Sequence, residues 1–459
     1  MAPSTPQSLV EHALATSSSE HCVVIVHDAT SANLRWANNT LTTNGVMHAV
    51  SVTVIAFQGA GNASVSADVT TSEQVTALVE RADAGARQAE AAEDRAELVT
   101  AGAQDDWTEP PVETSVEIYR DFARDLGEEF RRAETERRIL YGFVNHELTT
   151  TYLGSSTGLR LRHVQPTGHY GCTAKTADLT NSAWVGGATR DFGDVSASRM
   201  ASDLATRLDW GSRRVDLPAG HYDTVLPPTA VADLMIDAYW SAGARVAHEG
   251  QSVYSRPGGG TRIGEAIVAD TVTLFSDPMY AGLECAPFVV TSGSSNDSSV
   301  YDNGLRLART SWIDSGRLAS LVQTRQTATM TGQPTTPGVD NLVLDVRGGA
   351  GTDLDLVADL SDGLLLTCLW YIREVDPQTL LLTGLTRDGV YRVQGGEITG
   401  AVNNFRFNES PIDLLRRFTA AGATVPSFSR EWGDDYFSRT ATPPLRVPDF
   451  NMSTVSQAL

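Results

Sequence analysis

Lysine is almost missing from this chain: Lys175 is the only one, and arginine supplies nearly all of the 35 basic residues. We read this as a bias towards GC-rich codons and not as chemistry. Positive charge is short in any form. Against 56 acidic residues it leaves a net charge of -21 and a pI near 4.8. Phosphate backbones are bound through basic faces, so nucleic acid is excluded as an expected partner, as is docking on an anionic membrane. Cysteine is scarce too. Cys22, Cys172, Cys285 and Cys368 lie far apart and form no CxxC pair, which removes the disulfide framework and points to a reduced, cytoplasmic protein. No apolar run is long enough to cross a bilayer. Met1-Ala2-Pro3-Ser4 has neither the basic nor the apolar region of a secretory signal, so none is expected. Internal repeats and long low-complexity tracts are also lacking.

What is present is ordinary globular material: 459 residues, 41% hydrophobic and 20% charged. That length calls for two or more domains. The pattern predicts a short helix over 5–15, then strands over 21–28, 47–58 and 63–69 with a turn at Gly59-Ala60-Gly61-Asn62, forming a small antiparallel meander. Helical spacing follows over 72–98, a polar loop over 101–113, and a charged amphipathic helix over 115–138 with Val116, Tyr119, Phe122, Leu126 and Phe130 on one face. Residues 150–163 and 182–189 read as strands, and 196–208 as a helix. The expected units are an N-terminal α+β domain (1–138), a middle β region (139–226) and a β-rich C-terminal domain (227–459).

Several clusters invite a chemical reading. His163, His169 and Cys172 stand close enough in sequence to suggest zinc, but no fourth ligand is evident, and a Gly-rich hairpin with water-facing histidines is the simpler expectation. His248-Glu249 and His146-Glu147 begin like zinc-peptidase motifs but lack a second histidine at the right distance. Gly258-Gly259-Gly260-Thr261-Arg262 lacks the Gly-Lys-Ser/Thr of a phosphate loop and is expected to be a turn. Ser292-Gly293-Ser294 is not a nucleophile elbow. Asp353 and Asp355 fit a helix start, where carboxylates favour the dipole. The acidic run Glu431-Trp432-Gly433-Asp434-Asp435 reads equally as a partner-facing loop or as solvated surface.

The stretch 227–278 organises the chain. Pro228 pre-sets a first helical turn, and Val231, Leu234, Met235 and Ala238 recur at helical spacing. A Gly-rich break follows at 258–260, then a short helix or strand around 263–274. The run Leu234-Met235-Ile236-Asp237-Ala238-Tyr239-Trp240-Ser241 resembles a helix of the TldD/PmbA (TldE) family of bacterial metallopeptidase proteins. Arg190-Asp191-Phe192, Pro218-Ala219-Gly220-His221-Tyr222, Asp362-Gly363-Leu364-Leu365-Leu366-Thr367 and Gly395-Gly396-Glu397-Ile398 match further family segments. Their order and spacing, from about Trp36 to Val447, carries the resemblance.

The resemblance implies a fold: α+β, with an N-terminal antiparallel sheet and helices followed by a large, mostly β, barrel-like C-terminal domain. It also implies chemistry. In the catalytic TldD branch the helix reads Leu-Leu-His-Glu-x-x-x-His, where both histidines bind zinc and the glutamate is general base. Residues five apart on an ideal helix point about 140° away from each other, so that motif needs a local distortion. Here Ile236 and Ser241 stand at the histidine positions, Asp237 at the glutamate, and Ser429 nearest a C-terminal cysteine ligand. The resemblance therefore implies a TldE-like subunit with no catalytic and no metal residues of its own, and no cofactor in this chain. It would pair with a zinc-bearing TldD-like subunit, and the complex would cleave peptides and unfolded chains held as extended strands. Tyr239 and Trp240 are candidate interface residues, with ordinary core as the equal alternative. Two other readings stay open: an active metallopeptidase with a non-standard ligand set, and a homodimeric peptide-binding or scaffold protein.

Overall fold

A computed structural model describes residues 5–69, 71–100, 102–433 and 437–456. Met1 to Ser4, and Asp434 and Asp435 of the acidic run, lie outside the described residues. Helix α1 (Pro6–Thr16) leads into β1 (His21–Ala37), β2 (Thr40–Gln58) and β3 (Gly61–Asp68). The first two form one long hairpin, longer than the short strands expected. Its turn is Asn38-Asn39, at φ of 50° and 58°, the left-handed pair that a tight hairpin needs and that asparagine tolerates. After α2 (Ser72–Gln88) and α3 (Arg120–Thr135) come β4 (Arg138–Ser155), β5 (Arg160–Thr176), β6 (Ser182–Thr189) and α4 (Ala197–Trp210).

These strands make one antiparallel sheet, ordered β3-β2-β1-β4-β5-β6. Residue 138 was expected to close a domain; it opens β4 instead, which pairs with β1 along fourteen positions from Val23↔Ser155 to Trp36↔Gly142. The cause lies in β1. Cys22 to Val26 are buried in succession, so this strand needs cover on both faces and a neighbour on both edges. Cys22, Val24 and Val26 pack under α1 and α2, and Leu34 and Trp36 under α3 and α4. Val23 and Ile25 face the other way, onto Phe288, Val300 and Tyr301 from the C-terminal half. Helix α2 starts on a Thr71–Gln74 capping box and stops ten residues short of the expected 98. Ala92, Ala96, Leu98 and Val99 leave the helix to pack against that second face, and tertiary burial there outweighs local propensity.

The chain continues through β7 (Arg214–Val215), β8 (Gly220–Leu226), α5 (Pro228–Trp240), α6 (Ala244–His248), β9 (Val272–Ser276), β10 (Thr310–Asp314), β11 (Arg317–Leu318), α7 (Arg325–Thr331) and β12 (Leu342–Val346). Then follow α8 (Asp353–Ala358), β13 (Asp362–Leu366), β14 (Leu369–Asp376), β15 (Leu381–Thr386), β16 (Val390–Gln394), β17 (Glu397–Val402) and β18 (Phe405–Glu409). Helix α9 (Pro411–Arg417) and strands β19 (Ala420–Ala421), β20 (Val425–Ser427), β21 (Thr440–Thr442) and β22 (Leu445–Val455) complete it. They build a sheet ordered β11-β10-β9-β12-β21-β20 and a larger one ordered β14-β15-β18-β22-β8-β13-β16-β17-β7. Among the described residues neither closes into a barrel. The architecture is α+β, as expected.

Helix α5 sits in the core that the two C-terminal sheets share. Ala230, Val231, Leu234, Met235, Ile236 and Ala238 are all buried there with Leu274 and Leu344 of one sheet and Leu366 and Leu445 of the other. A helix apolar nearly all round belongs in such a place. Residues 263–274 do not form one element. Gly264 and Ile267 donate their N–H groups to the Gly316 and Leu318 turn, which spends their backbone before β9 begins. Gly258, Gly259 and Gly260 all lie at positive φ, of 91°, 110° and 82°, in a turn closed by Arg256 and Gly260.

Candidate functional site

Two carboxylates on one face of α5 meet the loop 429–432. Asp233 and Asp237 are four apart, which stacks them on adjacent turns. Asp233 is fully buried. Its Oδ1 accepts from Ser429 Oγ at 2.6 Å and from Glu431 N at 3.0 Å, while Oδ2 has no hydrogen-bond partner. Ser429, also fully buried, accepts in turn from Trp432 N at 2.9 Å. Trp432 Nε1 donates to Asp237 Oδ2 at 3.2 Å. The helix and the loop are therefore tied by a chain of polar contacts inside an apolar shell.

Burial dominates the electrostatics. It pushes the Asp233 carboxyl up to about 8, against the hydrogen bonds from Ser429 and Glu431 that favour the anion, and the Glu431 charge adds to the rise. Half-buried Asp237 is pushed up to about 7 by the same desolvation, opposed by the Trp432 N–H. Glu431 is itself held, its Oε1 accepting from Ile372 N at 3.1 Å.

Zinc would need three or four nitrogen, sulfur or oxygen donors converging on one point. The side chains present do not fit that need. Ile236 is fully buried in the core and carries no lone pair. Ser241 ends the helix, its N–H bonded to Asp237 O. The Ser429 hydroxyl donates to Asp233 and accepts from Trp432. Among the described residues no group of three His, Cys, Asp or Glu side chains is arranged to hold a metal.

The structure separates the residues of the other candidate cluster. His163 and His169 lie six apart on β5, about 20 Å at strand rise. Cys172 points to the opposite face, into the core under α3 and α4. The three cannot share an ion. His169 does not face water either; it is buried and stacked on Phe428, ring centroids 5.9 Å apart. His146 is a satisfied core histidine, between Thr114 Oγ1 and Arg190 O. All four cysteines are buried free thiols, each pushed up to about 12 by burial.

Tyr239 and Trp240 part company. Tyr239 is core: its hydroxyl donates to Val339 O at 3.0 Å and accepts from Val339 N at 2.7 Å, and its ring packs on Trp312 and Phe437. Trp240 is 42% exposed and meets Trp432 edge-on at 5.2 Å. Sequence reading missed Asp233. The available signal was its i, i+4 spacing from Asp237 on an otherwise apolar helix.

The site thus sits in an α+β scaffold: a buried helix between two C-terminal sheets, bound to the Ser429 loop, with an antiparallel sheet at the N-terminal side. TldE from Thermococcus kodakarensis has this fold, with a TM-score of 0.75 at 14% identity over 97% of this chain and 99% of that one. So does a Bacteroides thetaiotaomicron protein described as a candidate modulator of DNA gyrase, at 0.76 and 14% over 98% of each chain. A Thermotoga maritima protein described in the same words gives 0.75 and 16% over 97% of this chain and all of that one. At these identities the likeness is one of fold. No curated protein matches the chain. The chain belongs to the PmbA/TldD family of metallopeptidase proteins: residues 219–454, more than half its length, match the PmbA/TldA metallopeptidase C-terminal domain.

Proposed function

We propose that this chain is the non-catalytic, TldE-like subunit of a TldD/TldE-type zinc metallopeptidase complex acting on peptides and unfolded chains in the cytoplasm. One observation carries the reading. The Ser429 hydroxyl is spent on Asp233, and Ile236 is sealed in the core, at the positions where a catalytic relative would present ligands. Buried on both sides, the Ser429–Asp233 hydrogen bond fixes the helix against its loop. The chain's part would be to form one wall of the chamber and to hold its partner's zinc helix in place. Among the described residues no helix is long and apolar enough to cross a membrane.

Trp240 supplies the docking point in this account. It is a large aromatic left exposed at the end of α5, supported from behind by Trp432, and aromatic anchors of this kind dominate interfaces. Trp240→Ala is expected to leave the stability of the lone chain within about 1 kcal/mol. It should weaken binding to a TldD-like partner by about tenfold or more. Analytical ultracentrifugation of the mixed subunits, with urea unfolding of the lone variant, reads both. In a cleavage assay with an unstructured peptide, the TldD-like subunit should be active with this chain present and nearly inactive without it. Equal activity in both would defeat the reading.

A further inference from the structure

A cleft of about 640 Å³ lies between the β5–β6 end of the N-terminal sheet and strands β14 to β17. Its size is that of a small-molecule site. Its charge is the reverse of the molecule's. Lys175, Arg214 and Arg387 line it against one carboxylate, Asp388, in a chain whose acids outnumber its bases 56 to 35. The only lysine of the protein is one of the three.

Arg387 is the fixed member. Its guanidinium lies 5.7 Å from the Trp370 ring centroid, and the Trp370 indole N–H donates to Arg387 O at 3.2 Å. Its Nε is buried with no hydrogen bond and stands 3.5 Å from Asp388 Oδ2, an ion pair without hydrogen-bond geometry. The other oxygen of Asp388 already accepts from Ser182 Oγ. Lys175 Nζ lies 5.9 Å from the Tyr141 ring, and Arg214 is exposed. A buried guanidinium N–H left unsatisfied is costly, and a planar fork beside two further cations suits a phosphate or carboxylate group.

The geometry points to a binding site for a small organic anion with two or more negative charges, a phosphate ester or a polycarboxylate, held by Arg387, Lys175 and Arg214. This goes beyond the proposed role in a peptidase complex and does not depend on it.

Lys175 makes the test clean, because protein labelled with carbon-13 at the lysine Cε gives a single side-chain signal. AMP and citrate serve as probes, with adenosine as the uncharged control, in low-salt buffer where exposed cations are least screened. At least one anion should shift the Lys175 signal saturably, with a midpoint below about 1 mM, and adenosine should not. A response to AMP alone identifies phosphate as the recognised group, and one to citrate alone identifies carboxylate. Arg387→Gln and Arg214→Gln should each raise the midpoint about fivefold or more, while Arg124→Gln on the exposed face of α3 leaves it unchanged. Arg214 is at the surface, so its variant reports even if Arg387→Gln folds poorly. No saturable shift with either anion, or shifts that both cleft variants leave intact, would overturn the site.

Discussion

Asparagine in place of Asp233 is expected to gain stability relative to the wild type as pH rises from about 4 to about 8. The ordinary aspartate value is 3.8 and the folded value about 8, so the folded state holds this proton more tightly than the unfolded chain does. The stabilisation is complete below the unfolded value and drains away as pH climbs through the folded one. Each pH unit in that window costs about 1.4 kcal/mol. Asparagine keeps an acceptor for Ser429 Oγ and Glu431 N but cannot ionise. The difference between wild type and Asp233→Asn should therefore change by about 3 kcal/mol between pH 5 and pH 7, with the variant gaining on the wild type. Urea unfolding of both proteins across that range measures it. Carboxylates held low by their partners, such as Asp83 and Asp178, are ionised in both states across that range and add no slope of their own. Parallel curves would mean that Asp233 is ionised in the folded state.

Tyr239→Ala should cost about 5 kcal/mol. Removing a buried aromatic leaves a cavity worth about 3–5 kcal/mol, here between Trp312 and Phe437. It also strands the Val339 N–H and C=O that the phenol satisfies, at about 1–3 kcal/mol for a buried group. Tyr239→Phe keeps the ring and should lose only that second part. Equilibrium unfolding separates the two variants. A loss under about 1 kcal/mol for the alanine variant would move Tyr239 from the core to a partner-facing role.

The sequence made α5 legible because its signals agree: Pro228 at the first turn, apolar residues around the whole circumference, and Pro227 extended before it. Asp353 and Asp355 likewise open α8, where Asp355 closes a capping box with Thr352. Local signals misled where long-range pairing decides. Nothing in the residues around Arg138 shows that β1 will take β4 as a neighbour. Nor does the spacing of His163, His169 and Cys172 reveal that one strand sends the cysteine to the helix side and His169 to Phe428. Asp233 escaped notice for the same reason: its partner Ser429 lies 196 residues away. The position of Ser429 near a family cysteine was readable; that its hydroxyl turns to a carboxylate was not.

The most direct measurement is the metal content of the purified chain alone, with peptide cleavage assayed on the same sample. The account expects zinc well below one ion per chain after dialysis and no cleavage above the buffer rate, with activity arising only when a TldD-like subunit is added. One tightly held zinc per chain, with cleavage abolished by Ser429→Ala or Asp237→Asn, would contradict it.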